Sequence, residues 1–291
     1  MITHAPHDLS GLDDARLAAT LATGAGEALL RLRAELAGAT GDGNGTEDVD
    51  RSALRRAGDA TAQAFLARAL AEARPEDAVL SEEATDDRRR LTADRVWIVD
   101  PLDGTREFGE ASADGRWRSD FAVHVALWRR GRGLVAGAVG LPADGRVFAT
   151  ADPPTPGPDA ARAVLDGRRR LRVVVSRSRP PAIALALERR GEAELVRLGS
   201  VGAKVARVLD GAVDAYVHAG GQHEWDSAAP VAVATAGGYV ATRLDGSPLV
   251  YNQPDPWSPD LLVCHPALVN RLRRLLDGAI GGAAAADQPS R

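Results

Sequence analysis

Residues 97–110 read WIVDPLDGTREFGE. Three apolar residues lead into Asp100, followed by Pro101, Leu102, a second carboxylate at Asp103, Gly104 and the hydroxyl of Thr105. Two carboxylates three positions apart at the end of a buried run suit either a β-turn or a cation site. The turn needs nothing more, since Asp, Pro and Gly are all turn formers. A cation site needs further oxygen ligands from elsewhere in the chain. Two acidic stretches could supply them. VLSEE ends a short apolar strand in Glu82 and Glu83, and EWDSAAPVAVATAGG sets Asp226 at the head of a helix of small residues. Taken singly, Glu82 reads as a solvated strand end and Asp226 as a helix N-cap. Taken together the acids read differently. Packed carboxylates resist simultaneous ionisation, and a hard cation among them would relieve that.

Alternating elements must carry these residues. Residues 13–37 have apolar positions at helical spacing (Leu17, Leu21, Leu29, Leu30, Leu32), and GATGDGNGTED after them reads as a mobile loop. A second helix is expected over about 59–73, then strands at AVLSEE and RVWIVD. Between 120 and 150, FAVHVALW, LVAGAVGL and RVFAT are separated by RRGRG and PADG, which predicts an antiparallel meander. The Pro-rich ADPPTPGPDA at 151–160 marks a boundary, and beyond it strands and helices alternate. These patterns predict an N-terminal α+β half over 1–155, a C-terminal α/β half over 165–280 that completes the site, and a disordered tail over 281–291.

Composition narrows the function. With 291 residues, 45% hydrophobic and a net charge of -4, the chain can bury a large core and offers no broad basic surface to polymeric nucleic acid. No run is long and apolar enough for a membrane span, the N-terminus lacks the order of a signal peptide, and the single cysteine, Cys264, sits in an apolar run. A cytoplasmic protein is expected. Lys204 is the only lysine, and His124 on a strand reads as structural.

DPLDGT followed by WDSAA and AGG, with SEE upstream, resembles the double signature of the lithium-sensitive, magnesium-dependent phosphomonoesterases. That family includes inositol monophosphatase and the 3'(2'),5'-bisphosphate nucleotidases. VLSEE, DPLDGTREF, SRSRPP at 176–181, GSVGAK at 199–204 and EWDSAA look most like its bacterial CysQ branch. The resemblance implies a layered αβαβα sugar-phosphatase fold and two or three Mg2+ ions. It implies that Glu82, Asp100, Asp103 and the Leu102 carbonyl hold the first metals, with Asp226 completing the second site. Thr105 would work with an upstream aspartate, for which Asp59 is the candidate, to take a proton from the attacking water. The segment RSALRRAGD before Asp59 departs from the family pattern. Gly104, Thr105, Ser176, Arg177, Ser200, Lys204 and Asp226 fall at the substrate positions. His218 stands where many nucleotidases have an arginine.

The expected activity is hydrolysis of the 3'-phosphate of 3'-phosphoadenosine 5'-phosphate (or of its sulfated form) to AMP, inhibited by lithium and tied to sulfate assimilation. An inositol or fructose phosphate, or a nucleotide intermediate of a specialised pathway, is the alternative substrate. A silent ligand-binding relative is a third reading, against which the full acid set argues. The partner is a small phosphorylated molecule, and a homodimer is one option that the resemblance brings.

Overall fold

The computed structural model describes residues 9–38, 50–112, 115–157, 159 and 161–286. The glycine-rich loop expected after the first helix lies almost wholly outside the described residues. Helix α1 spans Asp14–Gly38 and α2 Arg51–Ala73. The carboxylate of Asp50 caps α2 by accepting from the Ser52 and Ala53 amides, so the helix starts well before residue 59. Asp59 therefore lies two turns inside a helix.

A first sheet follows, with strand order β1–β2–β3–β4–β5: β1 (Ala78–Ser81), β2 (Arg95–Asp103), β3 (Ala122–Arg129), β4 (Gly133–Leu141) and β5 (Arg146–Ala149). β1 runs parallel to β2, and β2 to β5 form the antiparallel meander. A one-turn helix, α3 (Thr105–Phe108), follows β2. Residues 150–170, including the short α4 (Arg162–Leu165), carry the chain to the second sheet.

That sheet is formed by β6 (Leu171–Ser176), β7 (Ala193–Leu198), β8 (Ala215–His223), β9 (Val240–Thr242) and β10 (Trp257–Cys264), in the order β7–β6–β8–β10–β9. The first three are mutually parallel, and β10 runs antiparallel to both of its neighbours, β8 and β9. The helices between them are α5 (Ala182–Arg189), α6 (Val201–Leu209) and α7 (Glu224–Ala236), and α8 (Val269–Ala286) follows. α8 runs past residue 281, where the sequence led to a disordered tail, and residues 287–291 lie outside those described.

Side-chain alternation explains the stacking. In β2, Trp97 and Val99 face α1 and α2, whereas Val96 and Ile98 face α6 and α7. In β6, Val174 joins that central core, and Val173 and Val175 join a third core with Leu187 of α5 and Leu272 and Leu276 of α8. Each sheet is covered on both faces, which is why its strands read as continuous apolar runs. The result is the αβαβα sandwich, with α6 and α7 as the middle layer and their N-termini beside the end of β2.

Candidate active site

The register of β2 settles what PLDG does. Asp100 pairs with His124 of β3 and Asp103 with Ala122, so three residues of β2 span two of β3. In a regular strand residues three apart face opposite sides. The extra residue turns both carboxylates to one side, and Pro101, which has no N–H for a ladder, sits in the bulge. The segment is a bulge that aims two acids rather than a turn.

Helix α7 supplies the third acid. Oxygens of Asp100, Asp103 and Asp226 lie within 4.8 Å of one another. Asp226 is not the N-cap of α7, which is His223. It lies three residues further on and accepts the His223 amide at 2.6 Å. Glu82, an exposed residue just past β1, turns its carboxyl toward Asp100. Although the residue as a whole is exposed, desolvation of its inward-turned carboxyl, then Asp226, pushes the Glu82 pKa up to about 7. Burial and Asp103 push Asp226 up to about 7. Asp100, fully buried against Asp103, Glu82 and Asp226, is raised well above the carboxylate range. Two carboxylates share a hydrogen bond only when one holds a proton. Ionised, Asp100 leaves Oδ2 buried without a partner. An all-oxygen donor set with crowded, uncompensated charge and an orphaned oxygen fits hard divalent cations. The Leu102 carbonyl, between Asp100 and Asp103 in the bulge, lies 3.1 Å from Thr105 Oγ1.

Asp103 is held from behind. Its Oδ2 accepts the Ser200 hydroxyl at 2.6 Å and the Gly202 amide at 2.8 Å, and His124 Nε2 lies 3.2 Å away. Ser200, a substrate candidate in the sequence, is thus spent on Asp103 and on capping α6, where it accepts the Ala203 amide. The preceding Gly199 amide donates to Asp120 at 2.7 Å.

Asp59 and Thr105 meet, although they lie on different elements. Thr105 Oγ1 is 3.1 Å from both Asp59 Oδ1 and the Leu102 carbonyl. Gly58 makes the approach possible, since a Cβ there would come within 2.7 Å of Phe108 and 2.9 Å of Leu102. Burial pushes the Asp59 carboxyl up to about 6 against the opposing Thr105 hydrogen bond. Gly104, at φ +90°, turns the chain from the bulge into α3.

A cavity of about 810 Å3 opens beside these groups and is lined by Gly104, Thr105, Ser176, Arg177, Lys204 and Asp226, among others. Arg177 does not point a free charge into it, because its Nη2 donates to Glu107 at 2.7 Å and Glu110 at 2.6 Å. Ser176 Oγ accepts the Arg179 amide. Lys204 is buried, donates to the Gly199 carbonyl at 2.9 Å and lies 5.4 Å from the Tyr216 ring centre. His218 bonds the Gly221 carbonyl, and burial lowers its pKa, so it is neutral at pH 7 and does not replace an arginine. Two exposed cations line the cavity: Arg106, which pairs with Glu110 at 3.0 Å, and Arg179, which has no carboxylate in ion-pair reach among the described residues. SRSRPP contains both Arg177 and Arg179, and only their surroundings distinguish them.

The chain is 49% identical over 274 residues, 91% of its length and 94% of the relative's, to a protein of Mycobacterium leprae named 3'-phosphoadenosine 5'-phosphate phosphatase. It is 32% identical to the 3'(2'),5'-bisphosphate nucleotidase CysQ of Escherichia coli, covering 79% of this chain and 91% of that one. The crystal structure of CysQ from Bacteroides thetaiotaomicron superposes with a TM-score of 0.67 at 26% identity, over 89% of this chain and 99% of that one. Staphylococcal IMPase-II, at 19% identity and a TM-score of 0.68 over 94% of this chain and 99% of that one, shares the fold. The family model for inositol monophosphatases matches residues 13–276, from the first turn of α1 into α8, and the chain belongs to the inositol monophosphatase family.

Proposed function

We propose that this chain is a Mg2+-dependent 3'(2'),5'-bisphosphate nucleotidase that hydrolyses the 3'-phosphate of 3'-phosphoadenosine 5'-phosphate to give AMP and phosphate. One observation carries the reading: a single cavity is lined by Asp103 and Asp226 of the aspartate trio, by Thr105, which bonds Asp59 behind it, and by Arg179, which has no carboxylate in ion-pair reach among the described residues. A bisphosphate needs a reacting end and a second anion site, and a guanidinium suits the latter. The mycobacterial relative named for this substrate supports the choice.

Glu82, Asp100, Asp103, Asp226 and the Leu102 carbonyl would hold the cations, which when bound supply charge neutralisation and Lewis acidity. The protein's own part is positional and protonic. With Asp59 ionised, the Thr105 proton points to Asp59 Oδ1 and leaves a lone pair on Thr105 Oγ1 for the attacking water. As the water oxygen bonds to phosphorus and the bond to the 3' oxygen breaks, the water proton moves to Thr105 and the Thr105 proton to Asp59. The departing 3' oxygen takes a proton from solvent. Asp103, braced by Ser200 and Gly202, keeps its position without help from substrate.

Phosphate release should be measured for 3'-phosphoadenosine 5'-phosphate, inositol 1-phosphate and fructose 1,6-bisphosphate, each with Mg2+ and with EDTA. The nucleotide should lead in kcat/KM by about a hundredfold, as expected where a charged site meets or lacks its partner. EDTA should abolish turnover. A lead for either sugar phosphate would replace the nucleotide assignment, and EDTA-resistant turnover would remove the metal mechanism.

A further inference from the structure

Glu82 stands on an exposed segment. From residue 82 to residue 89 every residue is exposed except the half-buried Asp86, yet the carboxyl of Glu82 must meet Asp100 of β2 and Asp226 of α7. A segment with so little buried surface is held by its ends. At one end the Ser81 hydroxyl donates to Gln63 of α2 at 2.7 Å. At the other, Arg90 is fully buried and makes four hydrogen bonds: Nε and Nη2 to Asp86, Nη1 to the Asn252 side chain at 2.7 Å and Nη2 to the Gln253 carbonyl at 3.0 Å. An aliphatic side chain would fill that space. Only a guanidinium, with its rigid fork of donors, would also fix where the segment points.

Residues 251–253, which Arg90 grips, are bound on their other side to the head of α7. The amides of Asn252 and Gln253 both donate to the buried carboxylate of Glu224, at 2.6 and 2.8 Å, and the Tyr251 hydroxyl lies 3.2 Å from that of Ser227. Glu224 and Ser227 lie on either side of Asp226 in the chain. Asn252 holds φ +60°, a left-handed conformation in which asparagine is enriched, and its side-chain amide donates back to the Arg90 carbonyl at 3.1 Å. A short strap that carries no carboxylate itself is thus fastened to both segments that do.

We infer that Arg90 and Glu224 are positioning residues for the cation site, which clamp residues 251–253 between them and so set Glu82 against Asp226. The inference rests on the assignment of those acids to the cations. Neither Arg90 nor Glu224 lines the catalytic cavity, so their effect reaches the cations through the strap.

The test is calorimetric titration of Mg2+ into the metal-free protein, at a temperature where circular dichroism shows each variant folded. Arg90→Met and Glu224→Gln should each weaken Mg2+ binding by about tenfold to a hundredfold, the usual effect of losing a group that orients a ligand. The double variant should bind about as weakly as the weaker single one, because both act through one strap. Asn252→Gly keeps the left-handed backbone and the amide for Glu224 but drops both side-chain bonds to Arg90. It should weaken binding several-fold, and it carries the test should Arg90→Met not fold. Arg169→Met is the control: it breaks the pair with buried Asp214 at the far end of β6, so it should melt lower and bind Mg2+ as wild type does. Unchanged Mg2+ affinity in Arg90→Met, Glu224→Gln and Asn252→Gly would make the network a support for the fold alone and overturn the inference. So would a loss in Arg169→Met equal to theirs, or additive losses in the double variant. A wild type that takes up no Mg2+ would sink the cation reading itself, and the positioning role with it.

Discussion

The Ser200 hydroxyl donates to Asp103 Oδ2 across 2.6 Å and ties the head of α6 to the bulged end of β2. It does so from a backbone at φ +39°, ψ 136°, a conformation unfavourable to any residue but glycine. Strain of this kind costs about 1–3 kcal/mol and persists where neighbouring bonds over-determine it. Here the Gly199 amide on Asp120 and the Gly202 amide on Asp103 fasten the chain on either side. Ser200→Gly should be more stable than Ser200→Ala by about 1–2 kcal/mol in denaturant unfolding, since both lose the hydroxyl and only glycine relieves the backbone. Both should bind Mg2+ about tenfold or more weakly by calorimetry, the usual effect of losing a group that orients a ligand. Equal stability of the two variants would mean that the backbone is unstrained.

Arg177 and Arg179, two residues apart, should behave oppositely. Arg179→Ala should raise KM for a nucleotide bisphosphate by about 1.5–3 kcal/mol equivalent and affect inositol 1-phosphate far less, because it removes a charged contact to the second phosphate alone. Arg177→Ala frees Glu107, which is 7% exposed, from its main cation. That variant should lower stability by about 1–3 kcal/mol and reduce turnover of both substrates together. Steady-state kinetics on the two substrates and a melting curve separate the outcomes. A selective KM effect in Arg177→Ala would restore it as a substrate residue.

Much of this was legible in the sequence for a physical reason. Strands buried on both faces must be apolar throughout, so RVWIVD and LRVVVS announce themselves, and carboxylates are rare enough at strand ends that Glu82, Asp100 and Asp103 stand out. The bulge did not show, because register belongs to the pairing of β2 with β3 and not to either strand. The early start of α2 was hidden by a polar first turn, RSALRR, whose only inward residue is Leu54. The fate of Arg177 was invisible for another reason. Glu107 and Glu110 lie on α3 and the turn after it, and nothing local to SRSRPP says which arginine they will claim.

Metal removal should make stability depend on pH with a definite sign. Burial and the neighbouring acids push Glu82 and Asp226 up to about 7 in the fold and raise Asp100 well above the carboxylate range, against about 4 in an unfolded chain. The folded state thus holds more protons than the unfolded state from about pH 4 upward. The stability these groups confer is present below pH 4 and is lost as pH rises through about 7. In EDTA the protein should melt lower at pH 8 than at pH 5.5. Mg2+ should raise the melting temperature more at pH 8, where the carboxylates are ionised and ready to bind. A larger Mg2+ effect at pH 5.5 would show that these acids are not the cation site.

Asp59 provides the test of the proton relay. Its carboxyl is raised to about 6 by burial, and only its ionised form can accept the Thr105 proton. At saturating Mg2+ the coordinating acids are pulled into their ionised forms, which leaves Asp59 as a carboxyl of the site raised toward neutrality. The kcat of the wild type should therefore rise with pH through about 6 and level off above it. Asp59→Asn keeps the shape of the side chain and its hydrogen bond to Thr105 but cannot take up the proton. Its kcat should fall by about a hundredfold or more, its limb near pH 6 should disappear, and KM should change little, because the lost interaction acts only in the transition state. A surviving limb at pH 6 in the variant would assign that titration to another group. Unchanged kcat would take Asp59 out of the reaction and leave its bond to Thr105 a support for the bulge.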